Sequence, residues 1–179
     1  RRIVFLARGA DGKQRLATRL MAEAQTTLLK GTENAQDPFF SPDGKWVGFF
    51  ADYRLKRVSV EGGAPVTVCE APNFRGASWT DNDTIVLAPH MFGGLLRVHA
   101  AGGKPEPLTS LAEAELAHAW PQVLPGGQAV LFTGGAADAM PERDAGPDDL
   151  AGALLGPLGL ARVGAVVADQ RVQVAVARV

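Results

Sequence analysis

The residues Leu55 to Pro65, LKRVSVEGGAP, recur forty positions later as Leu95 to Pro105, LLRVHAAGGKP, with Leu, Arg, Val, both glycines and Pro in common. Six identities in an eleven-residue window mark an internal repeat. A period of tens of residues restricts a chain to architectures in which one small unit packs on copies of itself. A second element keeps the same interval: an apolar residue, a tight turn, then an unbroken apolar run. Phe40 precedes SPDG and KWVGFFA, Trp79 precedes TDND and TIVLAP, and Val123 precedes LPGG and QAVLFT. These turns begin at Ser41, Thr80 and Leu124, 39 and 44 residues apart. At the N-terminus RRIVFLA matches KWVGFFA with Ile3 and Val47 again 44 apart, so the chain reads as four copies, the first and last incomplete.

Each copy reads as strands joined by reversals. In Ser41-Pro42-Asp43-Gly44 the proline presets φ, the aspartate bonds nearby backbone and the glycine tolerates positive φ, which together predict a hairpin. The following run, Trp46 to Phe50, is apolar at every position, so both of its faces are expected to be covered. Its partner from Leu55 to Val60 is flanked and interrupted by Arg54, Lys56 and Arg57 and is wetter. Gly62-Gly63 and Gly102-Gly103 mark the next turn, with APVTVCEA and KPEPLTSL as outer strands. Leu16 to Leu29, LATRLMAEAQTTLL, carries helix-favouring residues, but its place in the repeat assigns it to the middle and outer strands of the first copy.

About four strands per unit at a period of ~40 to 45 residues predict a β-propeller; a β-sandwich with accidental similarity is the alternative. The fold expected is therefore all-β, a partial, open propeller of about three to four four-stranded blades, followed by an irregular C-terminal tail. Blades are placed at about 1–36, 37–75, 76–117 and a partial 118–133, with the tail at 134–179.

FFSPDGKWVGFF, the SVEGGAP turn, GASWTDNDTIVLAP and WPQVLPGGQAVLFT resemble the WD-repeat-like blades of the TolB type, marked by a Ser-Pro-Asp-Gly turn leading into an aromatic or aliphatic strand. The order of these segments is most similar to the C-terminal propeller of membrane-anchored bacterial serine/threonine protein kinases. The resemblance covers roughly residues 1 to 133. It departs from the pattern at Thr80-Asp81-Asn82-Asp83 and Leu124-Pro125-Gly126-Gly127, which lack the full motif but keep residues suited to a reversal. The resemblance implies an extracytoplasmic, periplasmic segment of a bacterial protein.

After Thr133 the repeat stops. Residues 134–179 contain no aromatic residue and read as a divergent linker or an out-of-frame translation, with Val163 to Val179 alternating enough for a strand. The apolar stretch from Ala151 to Ala168 is broken by Pro157 and Arg162, which argues against a membrane span. A start at Arg1-Arg2-Ile3, with neither Met nor a signal pattern, reads as a fragment.

No catalytic constellation is visible. Ser41, Ser59, Ser78 and Ser110 lack a Gly-x-Ser-x-Gly elbow, and the glycine-rich loop, His-Arg-Asp and Asp-Phe-Gly signatures of a kinase are missing. This chain is not expected to be an enzyme, whatever the catalytic domain of the whole protein. His90, His99 and His118 lack zinc-ligand spacing, and Asp81-Asn82-Asp83 lacks the glycine and glutamate of a calcium loop. Asp144 to Asp149, DAGPDD, reads as an acidic loop. Cys69 reads as a small buried hydrophobe. Trp46, Trp79 and Trp120 read as packing residues in preference to ligand-stacking ones. No catalytic, cofactor or metal residue is assigned, and ligand-binding positions stay unassigned. Eighteen basic against nineteen acidic residues leave a net charge of -1, which argues against a nucleic-acid partner.

The function expected is a non-catalytic interaction or sensor module that takes a protein, peptide or cell-envelope ligand on the propeller face, with no direct membrane insertion by this segment. The alternatives are the propeller domain of a prolyl-oligopeptidase-type serine peptidase and a free-standing TolB-like periplasmic scaffold.

Overall fold

A computed structural model describes residues 1–113 and 115–135, and these form four antiparallel sheets. The first sheet orders β1 (Arg2–Arg8), β2 (Gln14–Leu20) and β3 (Thr27–Leu28). The second orders β4 (Gln36–Phe40), β5 (Trp46–Ala51), β6 (Arg54–Ser59) and β7 (Val66–Glu70). The third orders β8 (Ala77–Trp79), β9 (Thr84–Leu87), β10 (Leu96–His99) and β11 (Glu106–Pro107). The fourth pairs β12 (Ala117–Val123) with β13 (Val130–Gly135). The helix-favouring stretch from Leu16 to Leu29 holds no helix: it contributes Leu16 to Leu20 to β2 and Thr27 and Leu28 to β3, with a turn and loop over 21–26, and its two terminal leucines are buried. Burial of Leu16 and Leu29 against the second sheet outweighs the intrinsic helix preference of the stretch, whose Met21 and Glu23 stand exposed in the loop.

The all-apolar run in β5 is covered on both faces. Val47, Phe49 and Ala51 point into a cluster with Leu16 and Leu29 of the first sheet. Phe50, with partly buried Trp46, enters a different cluster with Phe74, Trp79, Ile85 and Leu87 on the side of the third sheet. The pattern repeats in β9, where Ile85 and Leu87 face the second sheet while Val86 packs with Val130 and Phe132 of the fourth. Alternating side chains on one strand thus bind the sheets before and after it, each buried aliphatic or aromatic side chain contributing about 1.5–3 kcal/mol. Sheets stacked face to face in chain order are the blades of a propeller, and the fold is all-β and of that class.

The turns show why the repeat survives sequence change. At Ser41 the hydroxyl donates to Asp43 (2.6 Å) and accepts the Trp46 N–H (2.9 Å), while Ser41 N–H bonds the Trp46 carbonyl (2.9 Å). At Thr80 the hydroxyl makes the same pair of contacts, donating to Asn82 and accepting the Thr84 N–H (3.1 Å). Leu124 keeps only backbone bonds, from its N–H to the Ala129 carbonyl (2.8 Å) and from the Gly127 N–H to its carbonyl (3.0 Å). The glycine turns also correspond: Gly62 N–H bonds Ser59 (2.9 Å) and Gly102 N–H bonds His99 (2.8 Å).

Two expectations need correction or placement. Trp79 is buried and Trp46 packs with the Arg57 guanidinium 4.4 Å above its ring, but Trp120 is 41% exposed and is not a core residue. The tail expected over 134–179 falls outside the described residues from 136 onward, along with Ala151 to Ala168 and Asp144 to Asp149, while Gly134 and Gly135 belong to β13. Cys69 is buried, and burial pushes its thiol up to about 11.

Candidate functional site

Antiparallel strands alternate in direction, so their connections divide between two ends of the sheets. One end carries the short repeat turns beginning at Ser41, Thr80 and Leu124 and the Gly-Gly turns. The other carries the connections between sheets together with the β5–β6 and β9–β10 links. Tyr53, Met91, Phe92, Leu111 and Leu116 lie in connections at this second end and are all exposed, Tyr53 at 73%. An apolar set gathered at one end of a sheet stack is where a partner finds contact area.

The innermost strands add a feature that the sequence did not announce. Asp37, Gly76 and Trp120 stand four residues before Ser41, Thr80 and Leu124, and all three have left-handed backbone, with φ of 46°, 89° and 54°. The registers show two-against-one bulges at Asp37-Pro38 and Trp120-Pro121. In the third sheet Arg75 N–H and Gly76 C=O both bond Ala88. Bulges re-aim side chains and recur beside functional sites. Trp120 crosses directly over Gly76: a Cβ at 76 would lie 2.9 Å from Trp120 Cε3. Left-handed geometry for Asp or Trp has no local sequence signature beyond the proline that follows each of them.

A cavity of about 200 Å³ opens beside the β5–β6 turn. Phe50 and Phe74 form part of its lining, their rings parallel and 3.9 Å apart. Asn34, Gln36, Asp52 and Tyr53 form its exposed rim. Lys56 Nζ bonds Asp52 Oδ2 at 2.6 Å, and that bond, with the Lys56 charge and a weaker contribution from an Asn34 side-chain bond, holds the Asp52 carboxyl below its ordinary range.

A second polar group lies between the third and fourth sheets. His118, 3% exposed, sits between Thr109 Oγ1 (2.7 Å from Nδ1) and Glu115 Oε2 (3.0 Å from Nε2). An ionised carboxylate only accepts, so Nε2 donates to Glu115, and Nδ1 shares the second hydrogen bond with the threonine hydroxyl. Thr109 Oγ1 also accepts the Leu95 N–H (2.8 Å), and Glu115 accepts the Ala112 N–H (2.7 Å). That last bond leads the contributions lowering the Glu115 carboxyl. The hydroxyl, imidazole and carboxylate order is that of a hydrolase triad, but the imidazole is buried and the hydroxyl oxygen is engaged by backbone, so the group ties the β11–β12 loop to the fourth sheet.

Three of the four serines singled out in the sequence serve the backbone, and Ser110 is exposed in the loop after β11. Ser41 staples its turn, Ser59 Oγ accepts the Glu61 N–H (3.2 Å) and Ser78 Oγ accepts the Val123 N–H (3.0 Å). His90 and His99 are exposed, and among the described residues no three His, Cys, Asp or Glu side chains converge on a metal site.

No protein-family model matches the sequence, and no curated protein matches it. Solved structures do. A TolB-like protein of Agrobacterium tumefaciens superposes with a TM-score of 0.59 at 18% identity over 76% of this chain and 51% of that one. An acylaminoacyl peptidase of Pyrococcus horikoshii superposes with a TM-score of 0.51 at 14% identity over 80% of this chain and 26% of the peptidase. The chain spans about half the length of the TolB-like protein. The likeness is one of fold, the β-propeller.

Proposed function

We propose that this chain is a non-catalytic recognition module, the extracytoplasmic C-terminal propeller region of a membrane-anchored bacterial serine/threonine protein kinase, and that it takes a protein, peptide or cell-envelope ligand at the loop end of its sheets. One observation carries the recognition part: exposed Tyr53, Phe92 and Trp120 sit at or near one end, while Ser41, Ser59, Ser78 and Thr109, polar side chains that chemistry would need, are engaged by backbone. The kinase attachment is supported by the order of the TolB-type segments in the sequence. The near-neutral charge favours an uncharged or mixed partner surface over nucleic acid. Among the described residues no helix is long and apolar enough to cross a membrane, so anchoring in this reading falls to another segment.

The second reading is the propeller of a prolyl-oligopeptidase-type peptidase, favoured by the superposition on the acylaminoacyl peptidase. The complete coding sequence separates the two. A kinase domain and a membrane span upstream are expected; a Gly-x-Ser-x-Gly hydrolase domain downstream overturns the first reading in favour of the second.

A further inference from the structure

The β5–β6 connection is a two-residue turn, because Ala51 pairs with Arg54 and only Asp52 and Tyr53 lie between them. Both have positive φ, 53° and 61°, which is the type I′ geometry that Asn-Gly or Asp-Gly supplies without strain. Aspartate tolerates the left-handed region; a tyrosine there is disfavoured by contact between its Cβ and the backbone. Glycine would suit the turn better, yet the position holds the single tyrosine of the chain, a residue 73% exposed on the rim of the cavity. Asn34, across the rim, is also left-handed at 59°. Backbone held in sparsely populated regions at a cavity is a sign of function.

We infer that this cavity is a binding site for a single neutral pyranose ring, with Tyr53 as its stacking platform. The volume of about 200 Å³ lies below the ~300 Å³ at which pockets for drug-sized ligands begin, so it takes one ring and not an extended ligand. A pyranose has an apolar face and a hydroxyl perimeter. The cavity offers the complement: aromatic and aliphatic lining from Phe50, Phe74 and Pro72, and an amide and carboxylate rim. Lys56 at 2.6 Å neutralises Asp52, which removes the attraction for a cationic side chain but leaves carboxylate lone pairs to accept hydroxyl protons. The inference deepens the recognition reading and rests on it. The two fail separately, because domain order tests kinase attachment without touching sugar binding.

The full chain, labelled with 3-fluorotyrosine, carries one fluorine reporter, at position 53. Titration with methyl β-D-glucopyranoside and with N-acetyl-D-glucosamine is expected to move that resonance saturably for at least one of them, with a dissociation constant on the order of millimolar. Nα-acetyl-lysine amide at the same concentrations leaves it in place. In saturation-transfer measurements on the bound sugar, Tyr53→Gly binds about two- to tenfold more weakly while melting ~2–4 °C higher, and Met21→Ala, at the opposite end, binds as the parent does. The inference is overturned if neither sugar gives a saturable shift, if only the lysine amide does, or if Tyr53→Gly binds the sugar as tightly as the parent.

Discussion

The ring of Phe39 on β4 lies over Gly48 on β5, its register partner, so closely that a Cβ at position 48 would sit 2.6 Å from Phe39 Cε2. Gly48 has no positive φ to explain it; the ring is the reason for the glycine. Gly48→Ala is expected to destabilise by about 1–3 kcal/mol through overpacking, read as a lower denaturant midpoint. Phe39→Leu in the same chain should recover part of the loss, a coupling visible in a double-mutant cycle. Additive effects would show that the ring is not the obstacle.

The hydroxyl staple is shared by Ser41 and Thr80 despite their different motifs. Ser41→Ala and Thr80→Ala each remove the acceptor of one backbone N–H, from Trp46 and from Thr84, and each should cost about 1–2 kcal/mol. Ser41→Thr should stay within about 0.5 kcal/mol of the parent, since the oxygen remains. Equal losses for both Ser41 substitutions would place the cost in the side-chain volume instead.

His118→Ala removes the Thr109 hydroxyl's imidazole partner and opens a space beside Phe132, whose ring centroid is 4.3 Å from the imidazole. A loss of about 1–3 kcal/mol is expected. Thr109→Val should lose a similar amount because the Leu95 N–H is then unpaired, and the double variant should lose less than the sum. Hydrolysis of p-nitrophenyl acetate by the parent protein should not exceed the solvent background.

Asp11, Glu33, Asp43, Asp52 and Glu115 all have carboxyls below their ordinary values, Asp11 at about 2 because Arg15 bonds it side chain to side chain. Such groups bind fewer protons folded than unfolded, so their contribution is present above the ordinary carboxyl pKa and is lost as pH falls through the lowered one. The denaturant midpoint should hold from pH 7 to about pH 5 and then fall steadily between about pH 4.5 and 2. The decline should be shallower in high salt because most of these pairs are exposed. A midpoint unchanged at pH 2 would contradict the assignment.

Burial, with Glu70 as a lesser influence, pushes the Cys69 thiol up to about 11. Since the thiolate is the nucleophile, the folded protein should react with Ellman's reagent at pH 8 at least about a hundredfold more slowly than the protein in denaturant. Comparable rates would mean that β7 opens readily.

The strands were legible in the sequence wherever apolar runs met turn chemistry: Trp46 to Ala51 behind SPDG, and Thr84 to Leu87 behind TDND. Even the helix-prone Leu16 to Leu29 was placed by the repeat interval. The bulges at Asp37 and Trp120 were not legible, because a left-handed Asp or Trp is imposed by neighbouring strands and not by its own preference. The Thr109, His118 and Glu115 group was also invisible, its members being separated by a loop whose closure only packing decides.

The sequence by itself determined the unit and its spacing: turn residues and alternating apolar side chains act over a few positions, and a recurring interval of about forty carries that local information along the chain. The tertiary structure alone decided which face of β5 meets which neighbour, that Trp120 stands exposed where its relatives in the repeat are Asp37 and Gly76, and that Tyr53 takes a glycine's place at the rim of a cavity. Those outcomes depend on distances between segments remote in the chain, and a pattern of local preferences does not contain them.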